Sequence, residues 1–431
     1  MRIFAALNRR APVVVAVAAI LPRLVVVLAE RGSILTAYTE KSDDFAQTFV
    51  KSGTFGFVPG VPSADTQPLY GYFLIPLYWI FGRHWLVVGL AQILVATGTA
   101  LLVYLIGLHV VPRLAMVAAV VSTWHPYLIW HDVHVNREIL DQFVLAALVL
   151  CLIEAVRRRS PKLVALAGAL AGIAILGNGR LTALPLVLAV YVAWRLPSRR
   201  VLAVVLFLVA SALLVSPWVI RNKVQVGCFA ITTDGRALWK ANNMNTYRVL
   251  AGGGWIDDVP PLPGAPKYTA EYEWDFYRLD HKIIHVNECA QMTLYEHATF
   301  TFWRKHPVEK VKLMGQAVRM LWDPRAHETS GRPGKGTWLD TMRSYAEPAY
   351  MIPVYVLAVI GLFFAPVWFT SLALVLMAYN TAEAMLFAGT TRYRIAFDFL
   401  LVLLAACGVD GLWSRRRYRA ATPSAAASAE N

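Results

Sequence analysis

The chain has 431 residues, of which 57% are hydrophobic and only 16% charged, with a formal net charge of +14. Soluble domains carry roughly a quarter charged residues, and the mean hydropathy here is +0.50, so a water-soluble globule is excluded. With 23 Pro, 27 Gly and four Cys, a collagen-like chain, a disordered chain and a small disulfide scaffold are excluded too.

Much of the positive charge lies in short clusters beside apolar blocks: Arg9 and Arg10, Arg157 to Arg159, Arg199 and Arg200, and Arg415 to Arg417. That is the positive-inside pattern of a polytopic membrane protein rather than a nucleic-acid surface. Apolar stretches of the length a bilayer requires run over 11–30, 84–108, 112–130, 138–156, 162–177, 180–194, 201–219, 348–365, 367–388 and 393–413. Ten spans bring all four basic clusters to one side, with both termini cytoplasmic. Joining 162–194 across Gly177–Arg180 gives nine and separates Arg157–Arg159 from Arg199–Arg200. The first span, with Arg9 and Arg10 before it, reads as a retained signal-anchor.

The expected fold is therefore an all-α polytopic membrane protein of about ten transmembrane helices with a mostly helical extracytoplasmic cap. Residues 1–219 form an N-terminal transmembrane module with a first outer loop at 31–83. The cap spans 220–347, further transmembrane helices 348–413, and a basic, disordered cytoplasmic tail 414–431. Within the cap, Val311, Met314, Val318 and Leu321 recur at helical spacing, which suits a helix lying on the membrane or packed on the cap core. Cys228 and Cys289 fall on the same oxidising side, where a disulfide and two free thiols are both compatible with the sequence. His281 and His285, with Asp280 and Lys282 beside them, read as a solvated helix face.

The chemistry-bearing residues gather at outer span ends. In the first outer loop, Ser42-Asp43-Asp44-Phe45 precedes Gly53-Thr54-Phe55-Gly56-Phe57 and then Pro68-Leu69-Tyr70. Carboxylates at the membrane interface can take a proton from an incoming hydroxyl; a solvated acidic helix start is the plainer reading. Outer-end arginines at Arg137, Arg180, Arg221, Arg392 and Arg394 suit a developing phosphate charge, because the guanidinium fork grips paired oxygens. Snorkelling or loop anchoring is the plainer reading of any single one of them, with Arg392 and Arg394 standing higher because Thr390-Thr391-Arg392-Tyr393-Arg394 sits at a span mouth. Arg23 lies inside the first span, where a charge needs a partner; Glu383 and Asp398 are the candidates. His131, Asp132 and His134 share one short turn and are weak candidates for a metal site.

The order of these motifs resembles the GT-C membrane glycosyltransferases, in the branch of the protein O-mannosyltransferases and aminoarabinose transferases. It runs from the early Asp pair through Gln92, Pro217-Trp218-Val219-Ile220-Arg221-Asn222, Trp239 with Asn242-Asn243, and His306-Pro307 to Arg392-Tyr393-Arg394. It spans roughly residues 10–413. The resemblance implies a GT-C-like helix arrangement and transfer of a sugar, usually with inversion, from a polyprenyl-phosphate donor to a glycan, lipid or protein acceptor. It maps the general base onto Asp43 or Asp44. Glu138, Arg137, Arg180, Arg221, Asn242, Asn243, Arg392, Tyr393 and Arg394 are the expected substrate-binding residues. No cofactor is required by the sequence, and a divalent cation stays open; no nucleic-acid partner is expected. The alternatives are a polyprenyl-diphosphate glycan ligase or polymerase and a lipid or sugar transporter. The expected location is the inner membrane, with the site facing the periplasm or exterior.

Overall fold

The computed structural model describes residues 2–36, 40–260, 262, 287–325 and 338–421; His281 and His285 lie outside the described residues. Among them the chain is helical, with one isolated bridge between Val58 and Val61 in place of any strand. In chain order the helices are α1 (Arg2–Ala29), α2 (Lys41–Ser52), α3 (Pro68–Phe81), α4 (Trp85–Val110), α5 (Ala115–Thr123), α6 (Pro126–His131), α7 (Glu138–Arg158), α8 (Pro161–Gly177) and α9 (Leu184–Arg195). There follow α10 (Arg200–Gln225), α11 (Gly235–Lys240), α12 (Thr246–Ala251), α13 (Glu288–Lys305), α14 (Pro307–Trp322), α15 (Trp338–Gly361), α16 (Val367–Leu386), α17 (Thr391–Arg394) and α18 (Asp398–Ala421).

Among the described residues, five helical stretches are long and apolar enough to cross a membrane: Arg10–Ala29, Trp85–Val110, Glu138–Arg158, Pro197–Gln225 and Val367–Leu386. The first shows how the sequence sets its orientation. Ala11, Val15, Ala19, Arg23 and Val27 recur every four residues and are buried, while Val13, Val17, Leu21, Val25 and Leu28 stay exposed. A helix with one apolar stripe inward and another outward fits a bundle whose rim faces lipid. The central helix is α7, buried along most of its length, whereas α10 lies at the rim.

Close packing between α8 and α10 depends on Gly168 and Gly172. A Cβ at Gly168 would sit 2.1 Å from the Phe207 carbonyl oxygen, and one at Gly172 would sit 2.6 Å from that of Ser211. This is the small-xxx-small seam by which helices in lipid associate without a hydrophobic drive.

Local chemistry sets the breaks. The expected span 112–130 is divided into α5 and α6, because His125 accepts from the Tyr127 amide and Pro126 opens a new helix. Between α8 and α9, the 162–194 region is likewise two helices, joined by a 3-10 turn at Gly179–Leu181. The segment expected as the first outer loop is itself structured: α2 has Asp43 and Asp44 in its first turn, where carboxylates complement the helix dipole, and it ends on Gly53 at φ 71°. Pro68 opens α3.

The cap meets this loop through buried polar links. Lys41 Nζ donates to Asp65 at 2.6 Å and to Asp234, the N-cap of α11, at 3.1 Å. Burial is the largest single effect on both Lys41 and Asp234 and opposes their charge, but the opposite charges together outweigh it: Asp234 and Asp65 leave the lysine raised, and Lys41 with Arg236 holds the aspartate at about 2. Glu288, opening α13, accepts from the Ala64 amide at 2.9 Å and the Thr233 hydroxyl at 2.7 Å. Cys228 and Cys289 are disulfide-bonded, joining the exit of α10 to α13. As for the helix over 308–322, α14 buries Leu313, Ala317, Met320 and Leu321 and leaves Val308 and Val311 exposed. Its Lys310 donates to the Met385 carbonyl at 2.7 Å, so this helix docks onto the end of α16.

Candidate active site

Asp43 and Asp44 are adjacent on one helical turn, but their surroundings differ. Asp43 is 2% exposed. Its carboxylate accepts from Tyr78 Oη at 2.5 Å, Arg83 Nη2 at 2.7 Å, Arg83 Nε at 3.1 Å and Gln47 Nε2 at 3.2 Å. Arg83 also donates to the Leu35 carbonyl at 2.6 Å. These bonds fasten α2 to the far end of α3 and to the chain leaving α1. Burial, and then the Asp43 charge, push the Tyr78 phenol well up. Asp44 is half-buried. Phe45, next in sequence, is fully buried and makes edge-to-face contacts with Phe55 and Phe57 of the Gly-Phe turn, and Phe55 in turn meets Trp218 of α10.

Immediately before α2, Glu40 meets an assembly drawn from four segments. Arg392 pairs with both Glu40 and Glu138. Arg137 Nη1 donates to Gln67 at 2.6 Å, and its Nε lies 3.8 Å from both Glu40 and Glu138. Two guanidinium groups and two carboxylates thus alternate where the first loop, the start of α7 and α17 converge.

Arg180, on the turn after α8, extends this group. Its guanidinium lies over the Tyr393 ring at 3.8 Å. Its Nε and Nη2 are buried without a hydrogen-bond partner among the described residues. Asn178 bridges the turn to α7 by donating to Asp141 at 3.0 Å. Arg180, Arg392, Tyr393, Asp141, Asn178 and Glu383 line one small cavity. Buried donors without acceptors are costly in a protein interior, and donors aimed into a cavity are suited to an anion.

Five of the residues expected from sequence therefore meet: Arg137, Glu138, Arg180, Arg392 and Tyr393. Four others are engaged elsewhere. Arg394 is fully buried; it donates to Asp398 at 3.0 Å and to the carbonyls of Leu321 at 2.6 Å and Asp323 at 3.0 Å. Arg221 donates to the carbonyls of Ser63 and Phe55, bracing the first loop. Asn242 donates to Leu238 and Leu386 carbonyls and accepts from Trp303 and Lys310, while Asn243 donates to the Trp239 carbonyl within its own turn.

The expected partners of Arg23 are corrected by the structure. It pairs with neither Glu383 nor Asp398; its Nη2 and Nε donate to Asp132 at 2.6 and 2.8 Å, with Thr123 Oγ1 at 3.0 Å completing its shell. This also decides how the 131–134 turn is used. Asp132 is committed to Arg23, His131 stacks on Tyr127, and His134 stacks on Trp130 with Nδ1 2.8 Å from the Trp130 carbonyl. Among the described residues no group of three or more His, Cys, Asp or Glu side chains is placed to hold a metal ion. Glu40 was not among the expected site residues; its only signal in sequence is proximity to the Asp pair.

No family model matches the chain, and no curated protein matches it. Among solved structures, it is similar to the crystal structure of ArnT from Cupriavidus metallidurans bound to undecaprenyl phosphate. That likeness has a TM-score of 0.43 at 15% sequence identity and covers 93% of this chain and 78% of that one.

Proposed function

We propose that this integral membrane protein is a glycosyltransferase that moves a sugar from a polyprenyl-phosphate carrier to an acceptor hydroxyl, with inversion, at the outer end of the bundle. The observation that carries the reading is Arg180: a guanidinium with buried donors that have no partner among the described residues, lining one cavity with Tyr393 and with Arg392, which in turn pairs with Glu40 before α2. The order of sequence motifs supports the same family of reactions.

In this mechanism the acceptor oxygen forms a bond to the anomeric carbon as the bond from that carbon to the phosphate oxygen breaks. The leaving phosphate gains negative charge, which Arg180 and Arg392 stabilise. Glu40 and Glu138 hold Arg392 in place before the donor arrives. Asp44, the less buried of the pair, accepts the acceptor's proton, and the buried Asp43, bonded to Tyr78, Arg83 and Gln47, positions α2. The carrier tail stays in lipid while its head enters from the side. Acceptors with a free hydroxyl, whether glycan, lipid or protein, suit this chemistry.

The test supplies purified protein in vesicles with polyprenyl-monophosphate sugars and, separately, polyprenyl-diphosphate glycans, and follows glycosylated product. Transfer from the monophosphate donor alone is expected. Transfer only from the diphosphate donor would favour a ligase or polymerase, and movement of intact sugar-lipid across the bilayer without product would favour a transporter.

A further inference from the structure

The opposite end of the bundle carries a second cavity, of about 320 Å³, walled by the chain between α7 and α8, the chain between α9 and α10, and the first turns of α8 and α10. That this end is the basic one follows from its contacts: His109 at the end of α4 lies 3.0 Å from Glu154 near the end of α7, and Arg113 lies 3.8 Å from Asp410 in α18. The cavity has two chemically distinct walls. One is cationic and polar, with Arg159, Arg199, Ser160 and Ser198; the other is apolar, with Val164, Leu196, Leu202 and Leu206 among its residues.

Neighbouring charges sharpen this division. Glu154, the acidic group in this stretch, is taken up by Arg157 at 2.9 Å and by Arg158. Arg159 and Arg199 have no ion-pair partner among the described residues and are exposed. Below them the apolar wall continues into the rim of α10, where Val201, Val205 and Val209 are each at least half exposed. A ligand for such a cavity needs an anionic head, hydroxyls or ester oxygens for the serines, and a hydrocarbon tail that stays in the bilayer.

We infer that this cavity binds an anionic phospholipid of the leaflet at the basic end, its phosphate between Arg159 and Arg199 and an acyl chain along Leu202 and Leu206. A phosphate held by two guanidinium groups at a membrane surface gains from both hydrogen bonding and the local field. A soluble anion would leave the apolar wall uncovered, and a zwitterionic lipid would place its own cation among the arginines. The inference is independent of the transfer reaction proposed for the other end.

The experiment uses the purified full chain in a neutral detergent. Phosphatidylglycerol, phosphatidylcholine and inorganic phosphate are added separately, with retained lipid read by native mass spectrometry and thermal unfolding read in parallel. Phosphatidylglycerol should be retained and should raise the melting temperature, and R159E/R199E should weaken its binding about tenfold or more. The charge-matched control R10E/R113E, away from the cavity, should weaken it far less. Should R159E/R199E fail to fold, Leu206→Trp, which fills the apolar half without altering charge, should also reduce retention. Equal retention of phosphatidylcholine, equal stabilisation by inorganic phosphate, or equal weakening by R10E/R113E would each overturn the inference.

Discussion

Arg392 and Arg394 are two residues apart, yet they belong to two different kinds of polar interior. Arg394 is tied firmly to its surroundings: Asp398 accepts from it, two carbonyls of the α14 end accept from it, and His125 stands 3.3 Å from the same aspartate, with only its Nη2 left without a partner among the described residues. Around Arg392 the charges are crowded together from several segments, and neighbouring Arg180 keeps donors that have no partner among the described residues. The first arrangement fixes helices against each other. The second resembles a receptor, because its cost is recovered only when an anion enters. Burial alone does not distinguish them, and neither does one unpartnered donor; the bonds that Arg394 makes to Asp398 and to two carbonyls do.

This contrast can be broken most directly at Arg394. Arg394→Ala leaves Asp398 charged and buried, and loss of one partner from a buried pair costs about 3–5 kcal/mol. Thermal unfolding in detergent should show this large loss, while Arg392→Lys, which keeps a positive charge beside Glu40 and Glu138 but loses the planar fork, should leave the melt nearly unchanged and lower transfer instead. A similar division should appear within the Asp pair. Asp44→Asn should reduce transfer about a thousandfold, in the range of general-base deletions, with normal melting. Asp43→Asn should lower the melting temperature first, since Arg83 loses its counter-charge and one of the two oxygens that accept from Arg83 and Tyr78 is replaced by a donor; equal melts for the two variants would sink this distinction.

A third test uses Arg180. Arg180→Leu removes donors that are unpartnered in the resting protein, so stability should hold or rise. Transfer should fall about a hundredfold, the order expected for losing one group that stabilises developing charge. The smallest effect concerns pH. Asp234 is held at about 2, below its ordinary carboxylate value, so its contribution is full above the unfolded pKa of about 4 and is lost as pH falls toward 2. Acid should loosen the link between Lys41 and the cap before the bundle melts, measurable as earlier amide exchange in α11; Asp234→Asn should abolish that pH dependence.

Much of the bundle was legible in sequence because hydropathy and charge clusters act locally. The stretches opening at 84, 138, 201 and 367 lie within two residues of helix starts. The division at His125-Pro126 was also written in the chain, as a proline after a capping side chain, but hydropathy averages across it. Of the candidate site, Glu138 and Arg392 were singled out by family landmarks and Arg180 by its place at the end of an apolar stretch; the fold pairs the first two and puts Arg180 on one cavity with Arg392. The site was not legible where a residue's role depends on what the fold brings to it. Glu40 has no motif of its own and gains its place by meeting residues near 138 and 392. Arg23 and Asp132 are 109 positions apart, and a turn rich in histidine looks like a ligand set until its aspartate is seen to be engaged. The Cys228–Cys289 bond is of the same kind, since two thiols in one region do not declare a pairing.

That disulfide bears on how the protein can be made. Oxidation of thiols is confined to compartments outside the reducing cytosol, so a chain retained there, or produced in a host lacking thiol oxidases beyond its membrane, would arrive with the end of α10 unstapled from α13. Preparations for crystallography or assay should thus be checked for free sulfhydryls before any lack of turnover is attributed to sequence.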